Sequence, residues 1–298
     1  MRLSSYLRAL AVALSVLGVP CSFAQGKAYT VQAPDGVSLA VQEAGNPEGP
    51  PVVFVHGLLG SHLNWAEQLN SPALQRYRLI TFDLRGHGLS GKPTAAEAYT
   101  EGRRWADDLA SVLDAAHAEH PVLVGWSLGA AVITEYLAAY GGRPIAGAVY
   151  VDGVIELKPE QITPHPKVYQ DMIAQDLQTH LDGERAFLAL CFATLPPQPV
   201  FERLLANAAL ASWDMQRAVL RMDIPAAAGL GNLRAPLLLL YGAKDALIDP
   251  APAMARAKQL QPGARSLLYP NAGHAPFLEE PARFNDDLAQ FIDTLPAR

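Results

Sequence analysis

Apolar positions along the chain fall into two alternating rhythms. Runs of four to seven residues rich in apolar side chains occur at 52–55, 78–83, 121–124, 145–151 and 235–241, each ending in or followed by Gly, Asp or His. Between them lie stretches with apolar residues every third or fourth position. The clearest is 101–117, with Trp105, Leu109, Val112, Leu113 and Ala116 on one face. The runs predict strands buried on both faces, and the periodic stretches predict amphipathic helices. In that helix Asp107, Asp108 and Asp114 are expected to point outward. Residues 29–44 alternate about Asp35–Gly36 and predict a β-hairpin. A last strand at 265–269 precedes a final helix carrying Phe284, Leu288, Phe291 and Ile292. Strands alternating with helices predict an α/β fold: a mostly parallel eight-stranded sheet with helices on both faces.

One segment breaks the rhythm. Residues 154–233 lack a strong strand signal and contain helical stretches at 167–181, 184–194 and 212–222, interrupted by Leu195–Pro196–Pro197–Gln198–Pro199. Placed after a strand's C-terminal end, this insertion is expected to sit as a lid over that sheet edge. The core is then 25–153 with 234–298. The insertion's Phe187, Leu188, Leu190, Phe192, Leu195, Phe201, Leu204, Leu205 and Trp213 exceed the apolar bulk of a solvated flap. Part of it is expected to pack the lid down, and part to line an apolar pocket.

The first 24 residues read differently again. Arg2 and Arg8, an apolar run at 9–19 and the small-x-small triplet Ser22–Phe23–Ala24 form a secretory signal, with cleavage expected after Ala24. The expected location is the periplasm or the medium, with no stable membrane span after cleavage. An uncleaved anchor is the runner-up. Pro20 before Cys21 argues against lipidation. Cleavage leaves Cys191 as the one cysteine, so no internal disulfide can form and the core must supply the stability. Loss of Arg2 and Arg8 moves the formal charge from −6 to −8. With no basic run, nucleic acid is not an expected partner. No Cys/His cluster has metal-ligand spacing and no glycine motif cradles phosphate, so no metal or cofactor is expected. The expected partner is a small-molecule substrate.

The chemistry centres on Gly125–Trp126–Ser127–Leu128–Gly129, which follows a strand and opens the small-residue helical pattern of 128–140. A serine in so tight a strand-to-helix turn is forced into a strained backbone and lifted off the sheet edge. A Cβ at either flanking glycine would strike neighbouring backbone. The free N–H groups of the following helix favour negative charge beside the hydroxyl. Serine needs a base. His274 and Asp245 each lie just past a strand end, where loops of a parallel sheet converge, and the order Ser127, Asp245, His274 suits a nucleophile-elbow hydrolase. Asp152 also follows a strand end. His56 and His87 read as loop-shaping residues, and Asp83 with Arg85 as a brace of the 84–90 loop. Trp65, Trp126 and Cys191 read as packing.

The motifs His56–Gly57, Asp83-x-Arg85–Gly86-x-Gly88-x-Ser90, Gly125-x-Ser127-x-Gly129, Gly242-x-x-Asp245 and Gly273–His274 together resemble the α/β-hydrolase superfamily over nearly all of the mature chain. The likeness is strongest to its single-lid serine esterase and haloperoxidase-like branch. The resemblance implies Ser127 as nucleophile, His274 as base and Asp245 as the acid that orients it. Asp152 holds a position where some members carry that acid. It also implies the backbone N–H groups of Leu58 and Leu128 as the oxyanion hole. The implied activity is hydrolysis of small to medium apolar carboxylic esters through an acyl-enzyme. A lactonase, a carbon–carbon bond hydrolase and a ligand-binding protein with negligible turnover are the alternatives.

Overall fold

A computed structural model describes residues 26–296 of the chain. The expected signal segment, its expected cleavage site and Cys21 lie outside them. Eight strands form one sheet: β1 (Lys27–Gln32), β2 (Ser38–Gly45), β3 (Pro51–Val55), β4 (Arg78–Phe82), β5 (Val122–Trp126), β6 (Gly147–Val151), β7 (Leu237–Gly242) and β8 (Arg265–Tyr269). Their spatial order is β1-β2-β4-β3-β5-β6-β7-β8. The β1–β2 hairpin pairs antiparallel and joins β4 antiparallel; every other pairing is parallel.

Burial follows position in the sheet. Every residue of β5, β6 and β7 is buried, because helices cover both faces there. In β2 buried residues alternate with half-buried ones, as expected where one face is less covered. The central strands end together, so the loops after β3, β5, β6, β7 and β8 meet at one edge. Among the described residues no helix is long and apolar enough to cross a membrane.

The predicted amphipathic helix spans Gly102–Ala115 and buries Trp105, Leu109, Val112 and Leu113. Asp108, however, points inward and is fully buried. Arg85, also fully buried, donates Nε to its Oδ2 and Nη2 to its Oδ1, both at 2.7 Å. Arg85 further donates to Asp35 in the hairpin turn at 2.9 Å. The expected Asp83–Arg85 brace is therefore replaced by two separate ties. Asp83 accepts from the backbone N–H groups of His62 and Leu89 at 2.7 and 2.8 Å, with the His62 ring 2.8 Å away. A helical period places Asp108 beside the apolar stripe, and only the long-range partner turns it inward.

Between β6 and β7 the chain builds α-helices Pro166–Met172, Leu177–Leu190, Gln198–Ala208, Trp213–Ala218 and Ala226–Asn232. The first two divide at 173–176, where Asp176 caps the second by accepting from the Thr179 N–H at 2.9 Å. Pro199 opens the third helix, its missing N–H being one a first turn does not use.

Candidate active site

The turn after β5 has the geometry its sequence demands. Ser127 has φ 53° and ψ −116°, in the left-handed half of backbone space that a residue with a side chain enters only under constraint. The constraint is local. The Ser127 N–H donates to the Val151 carbonyl at 3.0 Å, and its own carbonyl accepts from Ala130 at 3.0 Å and Val154 at 3.2 Å. A Cβ on Gly129 would overlap the Val55 carbonyl oxygen, and one on Gly125 would lie 2.7 Å from backbone of the following helix. Both glycines let strand and helix approach closely enough to hold the turn. Leu128 is the first residue of the helix Leu128–Tyr140, so its N–H lacks an intrahelical acceptor.

His274, fully buried among its neighbours, is fixed from two sides. Its Nδ1 lies 2.7 Å from Oδ2 of Asp245. Its backbone carbonyl accepts the indole N–H of Trp126 at 2.6 Å. Asp245 in turn accepts from the N–H groups of Leu247 at 2.8 Å and Ile248 at 3.1 Å through Oδ1. With Nδ1 committed to a carboxylate, Nε2 is the nitrogen left to exchange a proton with a neighbouring hydroxyl, the arrangement a general base requires. Ser127 and His274 line the same cavity, together with Leu58 and Leu128. The structure thus brings together all five residues that the sequence singled out. Asp152, the alternative acid, is present too: it is wholly buried, and one of its oxygens lies within 4.8 Å of an Asp245 oxygen and a His274 ring nitrogen.

The cavity holds about 400 Å³. Its walls are almost wholly apolar, and most come from the 154–233 segment: Val154, Leu157, Ile162, Tyr169, Phe187, Val219, Leu220, Met222 and Ile224. Leu247 and Ile248 close it from the β7 loop. The one formal charge on the wall is Lys158, whose Nζ lies 3.0 Å from Glu156. Of the nine bulky residues expected to divide between packing and pocket, Phe187 alone lines it. Leu188, Phe201 and Leu204 form a small cluster of their own, and Trp213 stacks on His180 with centroids 4.0 Å apart. The lining comes instead from the irregular 154–164 stretch, from Tyr169, and from 219–224, where the predicted 212–222 helix ends in a 3₁₀ turn.

His56 and His87 are structural, as their loops imply. His56 Nε2 accepts the Leu84 N–H at 2.9 Å, so its proton sits on Nδ1, 2.7 Å from the Gly57 carbonyl. Burial pushes its pKa down to about 4, and that of His87 down to about 3, so both are neutral. Cys191 is buried and its thiol is pushed well up by desolvation, which leaves it unreactive packing.

Two contributors escaped the sequence reading. Trp126 is more than bulk, since its N–H ties the elbow to the histidine loop. Glu279 accepts from the Gly273 N–H at 2.6 Å through one oxygen and from Ala193 and Thr194 at 3.0 and 3.1 Å through the other. It thereby joins the histidine loop to the inserted helices. Nothing in Leu278–Glu279–Glu280–Pro281 distinguishes it from an ordinary helix start.

A sequence model of the alpha/beta hydrolase fold matches residues 50–281. The chain belongs to the α/β-hydrolase family. A solved structure from Burkholderia cenocepacia, described as a candidate aryl esterase, is 68% identical, with 90% of this chain and 98% of that one covered and a TM-score of 0.89. An esterase of Rhodococcus sp. ECU1013 is 30% identical over 90% of this chain and 99% of its own, with a TM-score of 0.83. A bifunctional esterase/perhydrolase of Acinetobacter calcoaceticus is 25% identical over 276 residues, 87% of this chain and 97% of that one.

Proposed function

We propose that the chain is an exported serine hydrolase that cleaves small to medium apolar carboxylic esters, aryl esters among them. The observation that carries this reading is the pairing of a strained, cavity-facing Ser127 with a histidine held 2.7 Å from a carboxylate, on the floor of an apolar cavity. Ser127 Oγ attacks the carbonyl carbon while His274 Nε2 takes its proton. The tetrahedral oxyanion is held by the Leu58 and Leu128 N–H groups, and collapse expels the alcohol with the proton from His274. Water then attacks the acyl-enzyme by the same route, releasing acid and restoring Ser127. A charged acyl group has no partner on the wall other than Lys158, which Glu156 already engages. The helical segment 154–233 acts as the lid that excludes water from this chemistry.

The 68% identity to a candidate aryl esterase and the esterase character of the Rhodococcus relative support the substrate class. The test is kcat/KM across acetyl, butyryl, hexanoyl, octanoyl and palmitoyl esters of p-nitrophenol, with phenyl acetate, a lactone and an anionic hemisuccinate alongside. The profile should rise over the first acyl carbons and fall once about 400 Å³ is filled. A preference for the hemisuccinate, or a maximum at palmitoyl, would contradict the closed apolar pocket. A fluorophosphonate should label Ser127. Intact mass of the exported protein should correspond to Gln25 as first residue; a retained Met1 would overturn export by cleavage.

A further inference from the structure

Asp152 closes β6 with φ 42°, a left-handed conformation that aims its side chain at the β7 loop. Its Oδ1 accepts the Gly242 N–H at 2.8 Å. Its Oδ2 is buried and receives no hydrogen bond from any donor. One Asp152 oxygen, one Asp245 oxygen and one His274 nitrogen lie within 4.8 Å of one another. Two carboxyl groups this close, shut away from water, cannot both carry charge; one keeps a proton and shares it with the other.

Which one keeps it follows from the donors. Asp245 receives two backbone N–H groups and the His274 ring, three interactions that favour its anion. Asp152 receives one N–H. The titratable groups that face it from the surrounding elements are Asp245, His274, Glu279, Tyr241 and Cys191; no lysine or arginine is among them, and the His274 ring is engaged by Asp245. We propose that Asp152 stands as a neutral carboxylic acid whose O–H donates to the Asp245 carboxylate, a positioning residue for Asp245 and a reserve acceptor for His274. Burial and the Asp245 charge both push the Asp152 carboxyl well above the usual carboxylate range, in the direction this requires. The inference rests on the Ser127–His274–Asp245 reading of the site.

The O–H does two things. It holds the Asp245 carboxylate in the rotamer that faces His274, and it satisfies an otherwise idle buried oxygen. If Asp245 is replaced by a neutral residue, the repulsion that kept Asp152 protonated disappears. Asp152 can then lose its proton to solvent and accept from the imidazole itself.

The experiment uses the full mature chain and three variants: Asp152→Asn, Asp245→Asn and the double variant. An asparagine at 152 can accept from Gly242 through its oxygen and donate to Asp245 through its amide, so kcat should stay within about threefold of wild type. Because one neutral group replaces another, the acidic limb of the kcat/KM profile should not move. Asp245→Asn should lose less than the roughly 10⁴-fold typical of an orphaned triad histidine, and the double variant at least about tenfold more than Asp245→Asn alone. Were Asp152 ionised in the native enzyme, Asp152→Asn would remove a negative charge and move the acidic limb to lower pH. That shift, a crippled Asp152→Asn, or a double variant no worse than Asp245→Asn would each overturn the proposal. A readout free of turnover separates this from the hydrolase reading: carbon-13 NMR of labelled aspartate should show the Asp152 carboxyl, assigned through its own backbone, as the neutral acid near pH 8. A carboxylate signal there refutes the inference even if no ester is cleaved, whereas an inactive wild type with the neutral signal sinks only the hydrolase reading.

Discussion

The two halves of the cavity are built by opposite means. On the body side every reactive group is fixed by directional polar contacts: Ser127 by three backbone hydrogen bonds, His274 by Asp245 one strand away and by Trp126 from the elbow. On the side of the inserted segment the wall consists of side chains such as Val154, Phe187, Leu220 and Ile224, which contribute shape and exclude water. Directional bonds hold atoms to tenths of an ångström, as proton transfer requires; dispersion and burial are non-directional and tolerate repacking. Changes on the body side should therefore lower turnover on every substrate, and changes on the inserted side should reorder substrates.

The largest effect expected is on the body side. Ser127→Ala should cost on the order of 10⁴ or more in kcat, and His274→Ala about as much, with the two together little worse than either, because they act as a unit. Additive losses in single-turnover kinetics would show that Ser127 and His274 do not act together. Trp126→Phe keeps an aromatic ring, though a smaller one, and removes the donor to the His274 carbonyl. It should lower kcat about tenfold on short and long esters alike, with KM little changed. A change in chain-length preference instead would make Trp126 a wall residue.

On the inserted side, Phe187→Ala should enlarge the cavity where the helix Leu177–Leu190 reaches its wall. With about 0.8 kcal/mol per methylene buried, the octanoyl-to-butyryl ratio of kcat/KM should rise about tenfold while the best substrate's kcat holds within a few-fold. Equal losses on all esters would show that the wall also positions the reacting groups.

The smallest effect concerns the join between the halves. Glu135, on the helix after Ser127, is buried, and its Oε1 has no hydrogen-bond partner. Burial, with Asp223 nearby at the end of the inserted segment, pushes its pKa up to about 7. A carboxyl raised in the folded state binds a proton the unfolded chain has lost. Stability therefore falls as pH climbs from the ordinary Glu value of 4.5 to about 7, then levels. Glu135→Gln should abolish this slope and stabilise the protein at pH 8 by on the order of 2 kcal/mol, with no gain near pH 4.5. Denaturant midpoints at the two pH values read it directly, and equal gains at both would remove Glu135 as the source.

The strands, the amphipathic helix and the site were legible in the sequence for a shared reason. Each is marked by a short stretch of chain: the apolar run of β5 by its own residues, the strained turn by Gly125 and Gly129 about Ser127, the histidine loop by Gly273–His274 just past β8. Convergence of Ser127, Asp245 and His274 needed one further premise, that parallel strands end at a common edge, and the sheet order supplies it. What the tertiary structure alone decided are pairings across dozens of residues that leave no local periodicity. Asp108 turned inward because Arg85 reached it, and Trp126 became a tether because the His274 carbonyl fell within reach. Glu279 came to span two segments, and the cavity wall passed from the predicted bulky residues to Val154, Leu220 and Ile224. Local pattern records which face of an element avoids water. It does not record which buried polar group finds which partner, because that depends on distances fixed only once the whole sheet has assembled.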